Sequence, residues 1–203
     1  METLTNPAYR IISNHVIAEV RQKISNDQNA LFALRPYQPG EVIADFSAGT
    51  IAAEPTYLTV QVDVGKHITL QPEFLQYINH SCSPNVFFDT SAMQLVALRE
   101  LDIEEEMTFF YPSTEWEMTQ SFSCYCGSPA CIGEIRGAAF LSNDIAAQYR
   151  FTDFIQQQLA KKAARKVAWS VMKTAEASRL LKPYFIWVLA PHLESEDPNL
   201  KYY

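Results

Sequence analysis

The chain has 203 residues, of which 48% are hydrophobic and 19% are charged, and its formal net charge is −7. This composition is typical of a globular protein and excludes an intrinsically disordered chain. The negative charge argues against broad nucleic-acid binding, and no apolar run approaches the roughly 18 residues of a membrane helix. We therefore expect neither a nucleic acid nor a membrane as a direct partner.

The charge is unevenly distributed along the chain. Residues 1–140 contain 17 acidic and 7 basic side chains, a balance of −10, whereas residues 141–203 contain 6 acidic and 9 basic side chains, a balance of +3. An acidic main body would attract a basic partner such as a lysine-rich peptide. A solvated acidic surface that only aids solubility explains the same charge equally well.

The first ten residues, METLTNPAYR, contain no basic region followed by an apolar stretch. They therefore do not match a secretory signal. The sequence predicts an intracellular location, cytoplasmic or, in a eukaryote, nuclear.

Short strands separated by turns are predicted from about residue 30 to residue 110. The apolar, β-branched and aromatic segments that favour strands are ALFAL, EVIADF, YLTVQVDV, MQLVALREL and EEMTFFY. RPYQPGE and DIEE are the turns between some of them. This part of the chain is predicted to be mainly β.

Two segments favour helix instead. PEFLQYIN is predicted to form a short helix with Pro72 in its first turn. Beyond Leu141 the chain has helical spacing, good helix formers and no proline until Pro183, and Ser142 or Asn143 is the expected cap. We expect two or three helices packed on, or beside, the β domain.

The four cysteines form a pattern that suggests a metal site. Cys124, Cys126 and Cys131 are spaced as C-x-C-x4-C, and Cys82 is the one other cysteine. Thiolates this close in sequence can converge on Zn²⁺, which takes four tetrahedral ligands. Four protein ligands leave no position for a catalytic water, so the predicted role is structural. The alternative is a set of unrelated buried thiols.

Three motifs together resemble those of one enzyme family. INHSCSPN (residues 78–85), EEEMTFFY (residues 104–111) and the C-x-C-x4-C segment occur in the order and approximate spacing found in SET-domain protein lysine methyltransferases with a zinc-binding post-SET segment. The resemblance covers about residues 10–140. It implies small β-sheets with a pseudoknot-like crossing, and three parts: a SET domain at 1–115, a post-SET segment at 116–140 and a C-terminal helical extension at 141–203.

The resemblance also implies a cofactor site. S-adenosylmethionine and the substrate lysine would enter from opposite faces and meet in a narrow channel. The residues implied to contact the cofactor are Leu31 and Phe32 in the N-terminal loop, Tyr57, Asn79, His80, and Tyr125 over the adenine. Cys82 would complete the zinc site with the post-SET cysteines.

Tyr111 matches the family's catalytic tyrosine. In an in-line displacement, lysine nitrogen attacks a methyl group on a sulfonium, and the protein mainly supplies alignment and a desolvated channel. The hydroxyl of Tyr111 would orient the methyl group. Phe109 matches a position where phenylalanine favours higher methylation states, and Phe46 matches a residue that lines the lysine channel. The implied substrate is a basic, lysine-containing protein, for example a histone-like one.

The chain departs from the family pattern at several positions. Gln28-Asn29-Ala30 replaces a Gly-x-Gly that lets the backbone approach the cofactor. Phe46 stands where many relatives have a tyrosine. Phe110 replaces an aspartate and Gln76 replaces an arginine. These departures prevent the transfer of a substrate from any histone-specific branch.

Each motif also has a plainer interpretation when taken alone. A lone tyrosine at a strand end is usually a core residue, an Asn-His pair is usually a turn or a cap, and the acidic run Glu104–Glu106 is predicted to be an exposed turn without chemistry. Two other functions therefore stay open: a SET module that binds peptide or cofactor without turnover, and a zinc-stabilised interaction protein whose helical tail recruits a partner.

Overall fold

Short β-strands are the main regular secondary structure between residues 8 and 135 in the computed structural model, which describes residues 8–189. The chain divides into two compact units at the boundary between Leu159 and Ala160. The strands all fall in the first unit, and they are β1 (Tyr9–Asn14), β2 (Ala18–Lys23), β3 (Asn29–Ala33), β4 (Val42–Asp45), β5 (Ser47–Ala52), β6 (Thr59–Asp63), β7 (Lys66–Gln71), β8 (Asn79–His80), β9 (Val86–Asp89), β10 (Gln94–Ala97), β11 (Thr108–Phe109), β12 (Phe122–Ser123) and β13 (Glu134–Ile135).

These strands form several small sheets rather than one large one. Three sheets have three antiparallel strands each, in the orders β1-β2-β3, β4-β10-β9 and β5-β7-β6. Strands β12 and β13 pair antiparallel, whereas β8 and β11 pair in parallel. The predicted mainly β fold is confirmed, and each segment predicted as a strand contains one.

One hydrophobic core joins the sheets. Its side chains come from the strands β2, β3, β4, β6, β7, β9, β10 and β11 and from the segments that connect them. Leu31, Ile68, Leu95 and Met107 are among those fully buried. A side chain of this size contributes about 1.5–3 kcal/mol when it is fully buried. The core therefore holds together strands that are individually too short to be stable alone.

The predicted short helix is a 3-10 helix, Glu73–Tyr77, and its residue Leu75 is buried. The expected helical tail begins with α1 (Asn143–Ala146), where the Ser142 hydroxyl accepts a hydrogen bond from the Ile145 N–H at 3.3 Å and confirms Ser142 as the cap. A second helix, α2, spans Asp153–Leu189. Both lie in the region predicted as helical, and the predicted part boundaries at 115, 140 and 141 stay predictions.

Phe110 anchors a second core beside the first. Its ring stacks on Tyr149 with centroids 3.7 Å apart and planes 5° apart, and it contacts Phe151 edge-on. Leu141, Phe154 and other buried apolar side chains complete this cluster. The position that is aspartate in the family pattern is therefore an apolar anchor here, because residues 138–155 supply an aromatic surface for it.

A glycine decides how residues 136–140 return against residues 115–118. Gly137 has φ +113°, and an added Cβ would lie 2.5 Å from the Trp116 carbonyl oxygen. On either side of it, the Ala138 N–H donates to the Glu115 carbonyl at 2.9 Å and the Arg136 carbonyl accepts from the Met118 N–H at 3.0 Å. The backbone segments can approach this closely only because residue 137 has no side chain.

We expect Gly137→Ala to lower the free energy of unfolding by about 3 kcal/mol or more, since it combines backbone strain with a clash against backbone. Gly40→Ala is the matched control: Gly40 has φ +83° but no atom within 4 Å of an added Cβ, so it should cost about 1–2 kcal/mol. Urea unfolding of both variants measures the difference. Equal costs would show that the contact with Trp116 is unimportant.

Candidate functional site

The site is built where the NHSCSPN segment crosses the segment that carries β11. Strands β8 and β11 lie in parallel, with Asn79 opposite Thr108 and His80 opposite Phe109. The crossing continues beyond the strands, because the Ser81 N–H donates to the Phe109 carbonyl at 3.0 Å. This is the crossing that the sequence predicts.

Asn85 fastens the crossing from inside the core. Its Oδ1 accepts from the Thr108 N–H at 2.7 Å, and its Nδ2 donates to the Glu106 carbonyl at 2.8 Å and to the Glu105 carboxylate at 3.1 Å. Each polar atom of the side chain is therefore paired, which is what allows it to be fully buried.

The acidic run Glu104–Glu106 differs from the exposed turn that we predicted. Glu104 is exposed, but Glu105 and Glu106 are partly buried. The Glu105 carboxylate accepts hydrogen bonds from Arg99, Asn85 and the Asp102 N–H, and its pKa is lowered because these hydrogen bonds outweigh its burial. The predicted exposure was wrong for Glu105 and Glu106, because Asn85 and Asn79 cover these two side chains from distant parts of the chain. That the run takes no part in the chemistry stays a prediction.

A cavity of about 910 Å³ opens beside the crossing. Four of the predicted site residues line it: Tyr57, Asn79, Phe109 and Tyr111. Gln28 and Asn29, which lie where the family pattern has its Gly-x-Gly, line it as well. The cavity volume is within the range of sites for small molecules and cofactors.

Tyr111 begins the 3-10 turn Tyr111–Ser113 directly after β11. Its ring lies 4.7 Å from that of Phe109 and 5.2 Å from that of His80, centroid to centroid. Burial, with a smaller contribution from the Glu106 carboxylate, raises the pKa of Tyr111 to about 12. The hydroxyl is therefore protonated at neutral pH and can act as a hydrogen-bond donor or an oriented dipole, but not as a phenolate.

Asn79 connects β8 to the start of β3. Its Nδ2 donates to the Asn29 carbonyl at 3.0 Å and to Glu106 Oε1 at 3.1 Å. The Oδ1 of Asn29 is buried without a hydrogen-bond partner among the described residues. A buried carbonyl oxygen of this kind is costly unless a ligand or water donates to it, and Asn29 is a residue of the cavity lining.

The structure does not bring five of the predicted site residues to the cavity wall. Leu31, Phe32 and Phe46 are core residues, and Phe46 packs edge-on against Phe88, one ring behind the cavity. Tyr125 is 92% exposed and lies outside the lining, as does His80. The proposed contacts of these residues with a cofactor or lysine stay predictions.

The four cysteines converge, as the spacing predicted. Their sulfur atoms all lie within 4.8 Å of one another, and Cys82 Sγ is 3.9 Å from Cys124 Sγ. Four thiolates around one Zn²⁺, with bonds of about 2.3 Å, would lie about 3.8 Å apart. Burial raises the pKa of Cys82 and of Cys124, and a bound cation would reverse this and hold the sulfurs as thiolates. The cluster can therefore bind a metal, and zinc as that metal stays a prediction.

His80 connects the cysteine cluster to Tyr111. Its Nδ1 accepts from the Tyr111 N–H at 3.2 Å, so the ring proton is on Nε2, which faces Cys82 Sγ at 3.4 Å. Burial lowers the pKa of His80 to about 4, so the ring is neutral at physiological pH. The family pattern implies that His80 contacts the cofactor. In this structure the His80 side chain instead contacts Cys82, a candidate metal ligand, and the backbone N–H of Tyr111.

Glu115 is a residue of the cavity wall that the sequence analysis missed. Its side chain is 10% exposed, and burial raises its pKa to about 7. Oε1 accepts from the Gln61 N–H at 2.9 Å and from the Thr114 hydroxyl at 3.2 Å. The Gln61 amide in turn accepts from the Trp116 N–H at 2.9 Å. Gln61 lies more than 50 residues from Glu115 in the chain, so no local pattern pointed to the pair.

Comparison with known proteins agrees with the motifs. The sequence model of the SET domain matches residues 28–112. The chain is 38% identical over 125 residues to Methyltransferase flvH of Aspergillus flavus, covering 61% of this chain and 70% of that protein. It is 41% identical over 63 residues to the H3 lysine-36 specific histone-lysine N-methyltransferase of Candida albicans, a match that spans 28% of this chain and 7% of that enzyme.

Among solved structures, the chain is similar to KRYPTONITE in a complex with mCHG DNA and SAH. The TM-score is 0.43 at 22% identity, over 52% of this chain and 26% of that one. None of the helices within residues 8–189 has both the length and the apolar character of a membrane span.

Proposed function

We propose that this chain, which belongs to the SET-domain methyltransferase family, transfers a methyl group from S-adenosylmethionine to the amine of a lysine side chain in a basic protein. The observation that carries the proposal is the cavity beside the crossing, because Tyr111, Phe109 and Asn79 all line it. Motif matches alone would not require these side chains to meet.

The residues around the cavity suit the cofactor in charge and polarity. S-adenosylmethionine, when bound, supplies a methyl group already activated on a sulfonium cation. Within the described residues the lining contains two carboxylates, of Glu73 and Glu115, and no Lys, Arg or His. Asn79 and Asn29 would hold its polar groups, and Tyr57 would cover it.

The chain's own contribution to the reaction is alignment and exclusion of water. Phe88, Phe109 and Tyr111 form a continuous aromatic wall, with ring centroids 4.9 and 4.7 Å apart. An amine that leaves water for such a wall loses part of its preference for the charged form, which leaves nitrogen free to attack. The Tyr111 hydroxyl orients the reacting groups and stabilises the changing charge.

The cysteine cluster supports this site from behind. A structural zinc held by Cys82 and the three post-SET cysteines would fix the segment 122–135 in place. Phe122, the first residue of this segment, lines the cavity. His80 then transmits the position of Cys82 to the backbone of Tyr111. We assign the metal no part in the chemical step.

A basic protein substrate follows from the charge of residues 1–140 and from the anionic cavity. The proposed location is intracellular.

The second candidate function is a SET module that binds peptide or cofactor without turnover. The observation that favours it is the Gln28-Asn29-Ala30 segment, which replaces the family's Gly-x-Gly and places Gln28 and Asn29 in the cavity lining.

Labelled methyl transfer tests the proposal. We expect the purified full chain to bind S-adenosylhomocysteine in calorimetry and to transfer labelled methyl groups from S-adenosylmethionine to lysines of a basic protein in a lysate, which mass spectrometry identifies. Binding without any labelled acceptor would favour the binding module. Absence of both would reject the proposal.

A further inference from the structure

Glu115 is a buried carboxylate whose second oxygen has no assigned partner. Oε1 is used twice, by the Gln61 N–H and by the Thr114 hydroxyl. Among the described residues no hydrogen bond reaches Oε2, although the side chain is nine-tenths buried. In the described part of the chain, the fully buried side-chain polar atoms without a hydrogen-bond partner are Asn29 Oδ1, His67 Nδ1 and Ser113 Oγ, so Oε2 of Glu115 is not fully enclosed and solvent reaches it. The same residue lines the 910 Å³ cavity.

His67 does not satisfy that oxygen. Its Nδ1 is 3.9 Å from Oε2, which is too far for a hydrogen bond, and Nδ1 itself is buried without a partner among the described residues. Burial is the main cause that lowers the pKa of His67, so the ring brings no fixed positive charge at neutral pH. The pair is therefore not a closed salt bridge.

The charge around the cavity favours a cationic occupant. Glu115 and Glu73 line it without any Lys, Arg or His among the described residues. Glu73 is exposed, so solvent screens its charge. Burial raises the pKa of Glu115 to about 7, so at neutral pH about half of the molecules carry this charge in the empty cavity. A bound cation favours the charged form, and at lower effective dielectric Glu115 then has the larger influence on that cation. A sulfonium has no N–H to donate to Oε2, whereas a primary ammonium has three donors.

We propose that Glu115 forms a binding subsite for a primary ammonium group of a molecule held in the cavity. Two molecules of the proposed reaction carry this group: the cofactor at its amino-acid end, and the acceptor lysine on its side chain. The choice of these two molecules as probes rests on the proposed function. The Gln61 and Thr114 contacts fix the carboxylate through Oε1 and leave Oε2 for the ammonium.

Calorimetry on the full chain tests the subsite with three proteins: wild type, Glu115→Gln and Glu73→Gln. The amide introduced by Glu115→Gln keeps an oxygen for the Gln61 N–H, so the wall is retained while the charge is lost. Glu73→Gln removes a charge from the same cavity at an exposed position. Circular dichroism and the midpoint of thermal unfolding establish that each variant folds.

Two pairs of probes distinguish the sources of the ammonium. The first pair is S-adenosylhomocysteine and its analogue without the amino group, and the second is a lysine peptide and its norleucine counterpart. We expect wild type to prefer the amine of one pair by at least about 10-fold, given the strength of charge-assisted hydrogen bonds. Glu115→Gln should lose that preference and Glu73→Gln should keep it.

The outcome separates this inference from the proposed function. If wild type binds S-adenosylhomocysteine and methylates protein while Glu115→Gln keeps every amine preference, the subsite is overturned and the function stands. If an amine preference depends on Glu115 but no methyl transfer occurs, the subsite stands and the function fails. If wild type prefers neither amine, the subsite is rejected from the wild-type data alone. The subsite can therefore be rejected even if the Glu115→Gln protein fails to fold.

Discussion

Tyr111→Phe will reduce methyl transfer by about 100-fold or more, the usual cost of removing one preorganised donor from a reacting centre. The change deletes a single oxygen and keeps the ring that packs against Phe109 and His80. Because the pKa of Tyr111 is raised to about 12 by burial and by Glu106, the hydroxyl is protonated in the working pH range. The lost function is therefore donation and orientation, not general base catalysis by phenolate.

Single-turnover rates with labelled cofactor measure this loss, and calorimetry with S-adenosylhomocysteine should show an affinity within about threefold of wild type. Tyr77→Phe is the matched control, because Tyr77 also lines the cavity and packs on the main core. It should keep most of the rate. A Tyr111→Phe protein that methylates as fast as wild type would remove Tyr111 from the proposed mechanism.

Cys82→Ser is the second change with a large expected effect. We expect wild type to contain about one zinc per chain, given four convergent thiols in one tetrahedral site. The serine variant should lose most of this metal, and its free energy of unfolding should fall by about 3 kcal/mol or more, because binding energy at a structural zinc is folding energy. The loss of stability is expected because Cys82 is the ligand candidate that connects the crossing to the β12–β13 segment.

Metal analysis and denaturant unfolding measure the two effects, and Ser83→Ala is the control, since Ser83 is the exposed neighbour of Cys82. Its zinc content and stability should match wild type. Methyl transfer by Cys82→Ser should also fall, because Cys82 Sγ positions His80 and His80 accepts from the Tyr111 N–H. Full zinc content in the serine variant would exclude Cys82 as the fourth ligand.

The anchoring of Phe110 depends on a partner that its sequence neighbours do not reveal. The replacement of the family's aspartate by Phe110 is visible in the sequence, but the partner that makes phenylalanine favourable is Tyr149, with its ring centroid 3.7 Å away. The same holds for the acidic run, whose later members are covered by Asn85 and Asn79. These partners are distant along the chain, so local patterns could not predict them.

Features with short-range causes could be predicted from the sequence alone. Strand segments follow from β-branched and aromatic runs, and the Ser142 cap follows from a hydroxyl before a helical pattern. The three cysteines 124, 126 and 131 are close because a short turn joins them. The NHSC and tyrosine motifs were recognisable because their residue types and order are specific to one family.

The meeting of side chains across long separations depends on the tertiary structure. Packing placed Asn29, Asn79 and Tyr111 on one cavity, turned the ring of His80 towards Cys82, and put Glu115 against the N–H of Gln61. The physical reason is that burial depends on strands distant in sequence, and burial is what raises the pKa of Glu115 and lowers that of His80. Residue type gives the chemistry available, and the packing decides which of it is used.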